Sequence, residues 1–134
     1  MSIRYKSALL TLISLAVIYT YYFARIAAGV PAEDAIGLLI EVVITIVIVQ
    51  IVGHALIAGT SSDRYAPMDE RERAIDRRAT AVGYYLLIAS TLAASAILHM
   101  GSGKAQTANA ILLAVVLTEC VRQAVFLSLH HRAG

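Results

Sequence analysis

Four apolar blocks, residues 7–28, 35–58, 79–100 and 108–129, take up most of this 134-residue chain. Each is about twenty residues long, the length a helix needs to cross roughly 30 Å of hydrocarbon. Inside a bilayer every backbone N–H and C=O must be satisfied within its own segment, unless strands close into a barrel. Barrel strands are about ten residues long and alternate apolar with polar positions. Residues 39–52 show no such alternation, so helices are expected. A soluble bundle apolar all round its helices would need far more chain to cover those faces. With 59% apolar and only 15% charged residues, little sequence remains for a soluble domain.

The pattern predicts an all-α membrane protein, a single integral membrane domain folded as a four-helix up-down bundle. Its helices are expected over about 7–28, 35–58, 69–100 (including a cytoplasmic extension) and 108–129. Lys and Arg in the short segments between spans mark the cytoplasmic side. One side collects Arg4, Lys6, Arg64, Arg71, Arg73, Arg77, Arg78 and Arg132, and the other has Arg25 and Lys104. Both termini and the middle segment are therefore expected in the cytoplasm. Tyr5, Tyr84, Tyr85 and Phe126 would then lie near the inner interface, and Tyr19, Tyr21 and Tyr22 near the outer. Gly29, Pro31, Gly101 and Gly103 punctuate the outer turns.

Arg4 and Lys6 before an apolar run ending in Ala27 and Ala28 resemble the outline of a secretory leader. The run is long and carries tyrosines near its end, so a retained span is expected. A net charge of +2 and the lack of a basic stripe with interleaved aromatics argue against a nucleic-acid partner. One cysteine, Cys120, excludes an intramolecular disulfide.

Residues 60–78 form the longest hydrophilic stretch. Its first half is turn-rich, and its second half is expected to be helical. Asp69 followed by Glu72 matches an N-cap with an acidic residue three positions on, and Asp69 to Arg73 has the spacing of a helical ion pair. Asp63, Asp69, Glu70, Glu72 and Asp76 balance the arginines here, leaving a poor polybasic lipid clamp; only Arg77 and Arg78 look like headgroup anchors. This stretch reads either as a solvated, self-paired helix start or as a docking surface for a cytosolic protein. In the second reading Tyr65, Met68 and Ile75 are the apolar contacts, and Asp69, Glu70, Arg71 and Glu72 the polar ones.

The string Asp69-Glu70-Arg71-Glu72-Arg73-Ala74-Ile75-Asp76-Arg77-Arg78-Ala79 resembles the Asp-Glu-Arg motif of small prokaryotic predicted membrane proteins of unknown function. The end His130-His131-Arg132-Ala133-Gly134 is similar to their basic Arg-Arg-Gly-type ends, but departs from them in its histidines and inserted alanine. The similarity covers mainly the second half of the chain. The resemblance implies four helices and a prokaryotic inner membrane, and no particular activity.

Ionisable groups inside a span are costly and raise a functional question by default. Glu119, Arg122 and Gln123 lie at i, i+3 and i+4, hence on one face, where Glu119 and Arg122 can pair. The second helix carries Glu41, Thr45, Gln50 and His54, the last two near the depth of Arg122 and Gln123. One reading is an interhelical polar clasp fixing register or a dimer interface. The other is a proton or ion site in a homodimeric transporter or channel built on Glu119, Arg122, Glu41 and His54.

No metal or other cofactor is expected: adjacent His130 and His131 diverge on a helix, His99 lies at the other membrane face, and Cys120 has no second cysteine. Neither GxSxG nor HExxH occurs, so an enzyme is not expected. Ala79 with Gly83, Ala89 with Ala93, and Ser90 with Ala94 permit close helix approach, within one chain or between two copies. The expectation is a non-enzymatic regulatory or scaffolding module that is embedded in the lipid bilayer, self-associates and binds a protein through residues 60–78.

Overall fold

A computed structural model describes residues 2–63, 65–101 and 103–133, with the side chains of Ala32, Leu98 and His99 outside the description. Arg64 and the sequence reading of His99's side chain therefore lie outside the described residues. Four helices account for nearly all the rest: α1 (Ile3–Ala27), α2 (Ala32–Thr60), α3 (Glu70–His99) and α4 (Lys104–Arg132). All four are long and apolar enough to cross a membrane. Among the described residues there is no strand.

Each helix outruns its apolar block. At 1.5 Å per residue, 25 to 30 residues span more than the roughly 30 Å of hydrocarbon, so polar turns extend beyond it. Local chemistry sets the ends. Ser2 caps α1, its Oγ accepting the Tyr5 N–H at 3.2 Å. Gly29 follows the end of α1 at φ +92° and Gly101 follows that of α3 at φ +90°, a left-handed conformation that glycine adopts without steric cost. Asp69 Oδ1 accepts the Glu72 N–H at 2.7 Å, the expected N-cap of α3. With the carboxylate so engaged, Asp69 makes no ion pair with Arg73 among the described residues.

The chain divides into two compact units, Met1–Pro67 and Met68–Gly134. In the first, α1 packs on α2, and in the second, α3 packs on α4. Contacts in each run in opposite directions along the two helices, so each unit is a helical hairpin. In the first, Ile3 meets Asp63 and Ser14 meets Gln50; in the second, Glu72 meets His130 and Gly83 meets Arg122.

The first hairpin buries Leu38, Val42 and Ile46, one stripe of α2 at i, i+4 and i+8, and Ala8, Ser14, Tyr19 and Tyr22 of α1. Tyr19 and Tyr22 are thus turned inward, and of the three tyrosines expected in an outer belt only Tyr21 is exposed, stacked with Arg25. Gly53 is a notch for Leu10: a Cβ there would stand 2.5 Å from Leu10 Cδ2. Residues after α2 fold back on the start of α1. Asp63 Oδ2 accepts the Ile3 N–H at 3.0 Å, Lys6 Nζ donates to Ser61 Oγ at 3.4 Å, and Arg4 donates to the Ala66 carbonyl at 3.1 Å. The Ile3 N–H holds the Asp63 carboxyl below its ordinary range, with Lys6 adding to the effect.

In the second hairpin Ala79, 0% exposed, Gly83 and Ala94 form the buried small-residue line of α3, facing a line on α4 that includes Ala114, Thr118 and Phe126. Of the other predicted small pairs, Ala89 and Ala93 are exposed, and Ser90, paired with Ala94, is half-buried.

Candidate functional site

Two networks of polar groups lie within the spans, one inside each hairpin. The network on α4 is charged. Arg122 Nε donates to Glu119 Oε2 at 3.1 Å and Arg122 Nη2 to Glu119 Oε1 at 2.9 Å, a bidentate pair along one helix turn. Gln123 Nε2 donates to the same Oε1 at 2.6 Å. The sequence spacing had brought these three together, and the helix delivers them.

Two further members come from α3, which the sequence offered only as a balancing acid and a small packing residue. Asp76 Oδ1 lies 3.8 Å from Arg122 Nη1, so the guanidinium bridges a carboxylate in its own span and one near the N-terminal start of α3. Gly83 lies beneath the arginine stem, where a Cβ would meet Arg122 Cβ at 3.3 Å and Cγ and Cδ at 3.4 Å. The signal was present in α3: Asp76, Ala79 and Gly83 recur at i, i+3 and i+7, one stripe that carries an acid at its polar end and a glycine further in. Arg122 is about 10 Å inside its apolar block, within reach of the interface for a side chain that extends toward it. About two turns further along α4, His130 Nε2 stands 3.9 Å from Glu72 Oε1, and its ring tilts against Phe126.

The network of the first hairpin is uncharged. Gln50 Nε2 donates to Ser14 Oγ at 2.7 Å, Thr11 Oγ1 donates to Gln50 Oε1 at 3.3 Å, and Ser14 Oγ donates back to the Leu10 carbonyl at 2.7 Å. Both ends of the Gln50 amide are engaged with α1, a pairing the sequence reading did not name. His54 Nδ1 lies 2.7 Å from the Gln50 carbonyl. A carbonyl only accepts, so the Nδ1 position carries the proton. Glu41 is exposed, and among the described residues its carboxylate has no hydrogen bond or ion pair; its carbonyl accepts from Thr45.

The proposed docking stretch is sorted by the start of α3. Tyr65 is 85% exposed, Met68 is half-buried, and Asp69, Glu70 and Arg71 are exposed. Ile75 is 7% exposed and lies on the packed face of the amphipathic turn, between Glu72 and Ala79. Glu72 faces His130 and is only half-exposed.

Beside Ile75 an open cavity of about 300 Å³ lies between α3 and α4, lined by Arg71, Ala74, Ile75, Arg78, Leu129, Arg132 and Ala133. Among the described residues no three His, Cys, Asp or Glu side chains converge on a point where a metal ion could be held. No family model matches the chain, and no curated protein and no solved structure matches it.

Proposed function

We propose that the chain is a non-enzymatic, multi-pass protein of a prokaryotic inner membrane that presents the charged start of α3 to a cytosolic protein partner. The Lys/Arg asymmetry supports a cytoplasmic position for both termini and for residues 61–69. The observation that carries the reading is the form of this start. A capped, regular helix runs nine residues ahead of the apolar block at residue 79, with Glu70, Arg71, Arg73 and Arg77 exposed along it. A docking element held in one conformation before its partner arrives loses less freedom on binding than a disordered tail.

The transport alternative needs a carboxylate free to gain and lose a proton. Glu119 instead carries both Arg122 hydrogen bonds and that of Gln123, the arrangement of a structural clasp. The exposed Glu41 keeps a carboxylate without a hydrogen bond or ion pair among the described residues, but His54, the proposed relay, is turned to its own helix backbone.

A photoreactive side chain placed at Glu70 or at Arg73 in membranes of the native cell should give one discrete protein adduct common to both positions. The same group at Tyr21 should not give that adduct. Absence of a shared adduct would sink the reading, and proton flux into liposomes abolished by Glu119→Gln would replace it with the transport alternative.

A further inference from the structure

The acidic and basic residues that balance along residues 69–78 do not balance in space. Glu72 and Asp76 point along the face of α3 toward α4, where they meet His130 and Arg122. Asp69 is turned into its own helix cap. Arg71 and Arg78, seven residues apart and hence on one stripe with Ile75 between them, line the cavity beside that face. Arg132 enters the same cavity from α4, where Leu129, Arg132 and Ala133 at i, i+3 and i+4 form the facing wall. Among the described residues none of the three arginines has a hydrogen bond or an ion pair. With Asp69, Glu72 and Asp76 engaged elsewhere, three guanidinium groups surround one opening, and among the described residues no carboxylate lines it.

We infer that this cavity is a binding site for the headgroup of an anionic phospholipid, the three arginines taking the phosphate and the aliphatic wall taking the glycerol end of the chains. Guanidinium groups present planar donor forks that match phosphate oxygens. The location selects a lipid over a soluble phosphate compound. Arg78 immediately precedes Ala79, the first residue of the third apolar block, and Leu129 is the last of the fourth. The cavity therefore straddles the boundary at which a phospholipid passes from phosphate to hydrocarbon, and Ile75, Ala74 and Leu129 give it an apolar floor. A soluble anion has no use for that floor. A volume of about 300 Å³ suits a headgroup, with the acyl chains left to the bilayer. The proposal departs from the expectation of a poor lipid clamp, which counted charges along the chain without their partners.

The inference rests on the helices lying in a bilayer and not on the protein partner; flotation of the chain with vesicles of zwitterionic lipid alone tests that placement separately. The decisive experiment compares two double variants with equal loss of charge on one helix. R71Q/R78Q empties the cavity wall, whereas R73Q/R77Q removes two exposed arginines from a face roughly 130° away around α3. The full chain is purified in neutral detergent, titrated with phosphatidylglycerol or phosphatidylcholine, and read by native mass spectrometry, with circular dichroism to show that the helices remain.

Wild type should retain one phosphatidylglycerol in preference to phosphatidylcholine. R71Q/R78Q should bind it roughly thirtyfold more weakly, as expected when two interfacial arginines are lost, and R73Q/R77Q should bind as wild type. R132Q, on the other helix, should weaken binding by a smaller factor, and serves alone if R71Q/R78Q fails to fold. Equal weakening by both double variants, or no preference in wild type, would overturn the site. Displacement of the lipid by inorganic phosphate at comparable concentration would overturn the lipid assignment in favour of a soluble anion.

Discussion

The two hairpins solve one problem, how to hold two helices together in a medium as apolar as their side chains, with different chemistry. In the first, α1 and α2 are joined by the neutral contacts of Gln50 with Ser14 and Thr11, and by Leu10 seated on Gly53. In the second, α3 and α4 are joined by a charged ladder, Glu72 to His130 and Asp76 to Arg122 to Glu119, with the arginine stem seated on Gly83. Amides and hydroxyls tolerate hydrocarbon far better than ions, so a neutral network needs no route to water. The charged ladder has one: it starts at Glu72 and Asp76, ahead of the apolar block, and Arg122 reaches back toward them. Both use a glycine for the same purpose, to let the partner's side chain lie on backbone.

If this contrast is right, the second hairpin is the more sensitive to losing one partner. The largest effect should come from Glu119→Leu, which leaves the Arg122 guanidinium within the span with only Asp76. Stranding a fully buried charge costs about 3–5 kcal/mol, and the reach of Arg122 toward the interface should reduce this to about 2–3 kcal/mol. Unfolding of the purified chain in mixed micelles would measure it, and a change below that of Gln50→Leu would break the comparison.

Next comes Gly83→Val, which sets a branched side chain against the Arg122 stem and should cost about 1–3 kcal/mol in the same unfolding measurement. Gln50→Leu in the first hairpin should cost less, about 0.6–1.7 kcal/mol, the range of single hydrogen bonds between membrane helices. A larger loss there would mean that the neutral network, and not the charged one, dominates the fold.

The smallest effect concerns the loop that caps α1. The Asp63 carboxyl is held below its ordinary range by the Ile3 N–H, so the stability it adds is present above the unfolded carboxyl's pKa of about 3.8. It is lost as pH falls through the lower folded value. Amide exchange at Ile3, corrected for intrinsic rates, should accelerate across that acidic window in the wild type. In Asp63→Asn the exchange should be independent of pH there, and a persistent acid step would assign the effect to another group.

Much of the candidate site could be read from spacing. Glu119, Arg122 and Gln123 share a face whatever the helix packs against, because i, i+3 and i+4 positions are fixed by helix geometry. The Asp69 cap was legible for the same reason, as it joins residues three apart. What spacing could not supply were partners far along the chain. Thr11 and Ser14 became meaningful only beside Gln50, and Asp76 and Gly83 only beside Arg122. Ile75, a single apolar residue among charges, reads as exposed until the face it lies on is known.

Length and hydropathy alone determined that this chain makes four helices able to cross a membrane, because a backbone without water must bond to itself over about twenty residues. Those same properties are indifferent to pairing, since any apolar helix fits hydrocarbon as well as it fits another. Tertiary structure decided which helices form hairpins, which glycine receives which side chain, and which arginines keep an acidic neighbour. That last division follows from geometry: a charge count along residues 69–78 comes near to neutral, while a helix distributes those residues over faces more than 100° apart, so Arg71 and Arg78 stand with Arg132 and not with the acids beside them in sequence.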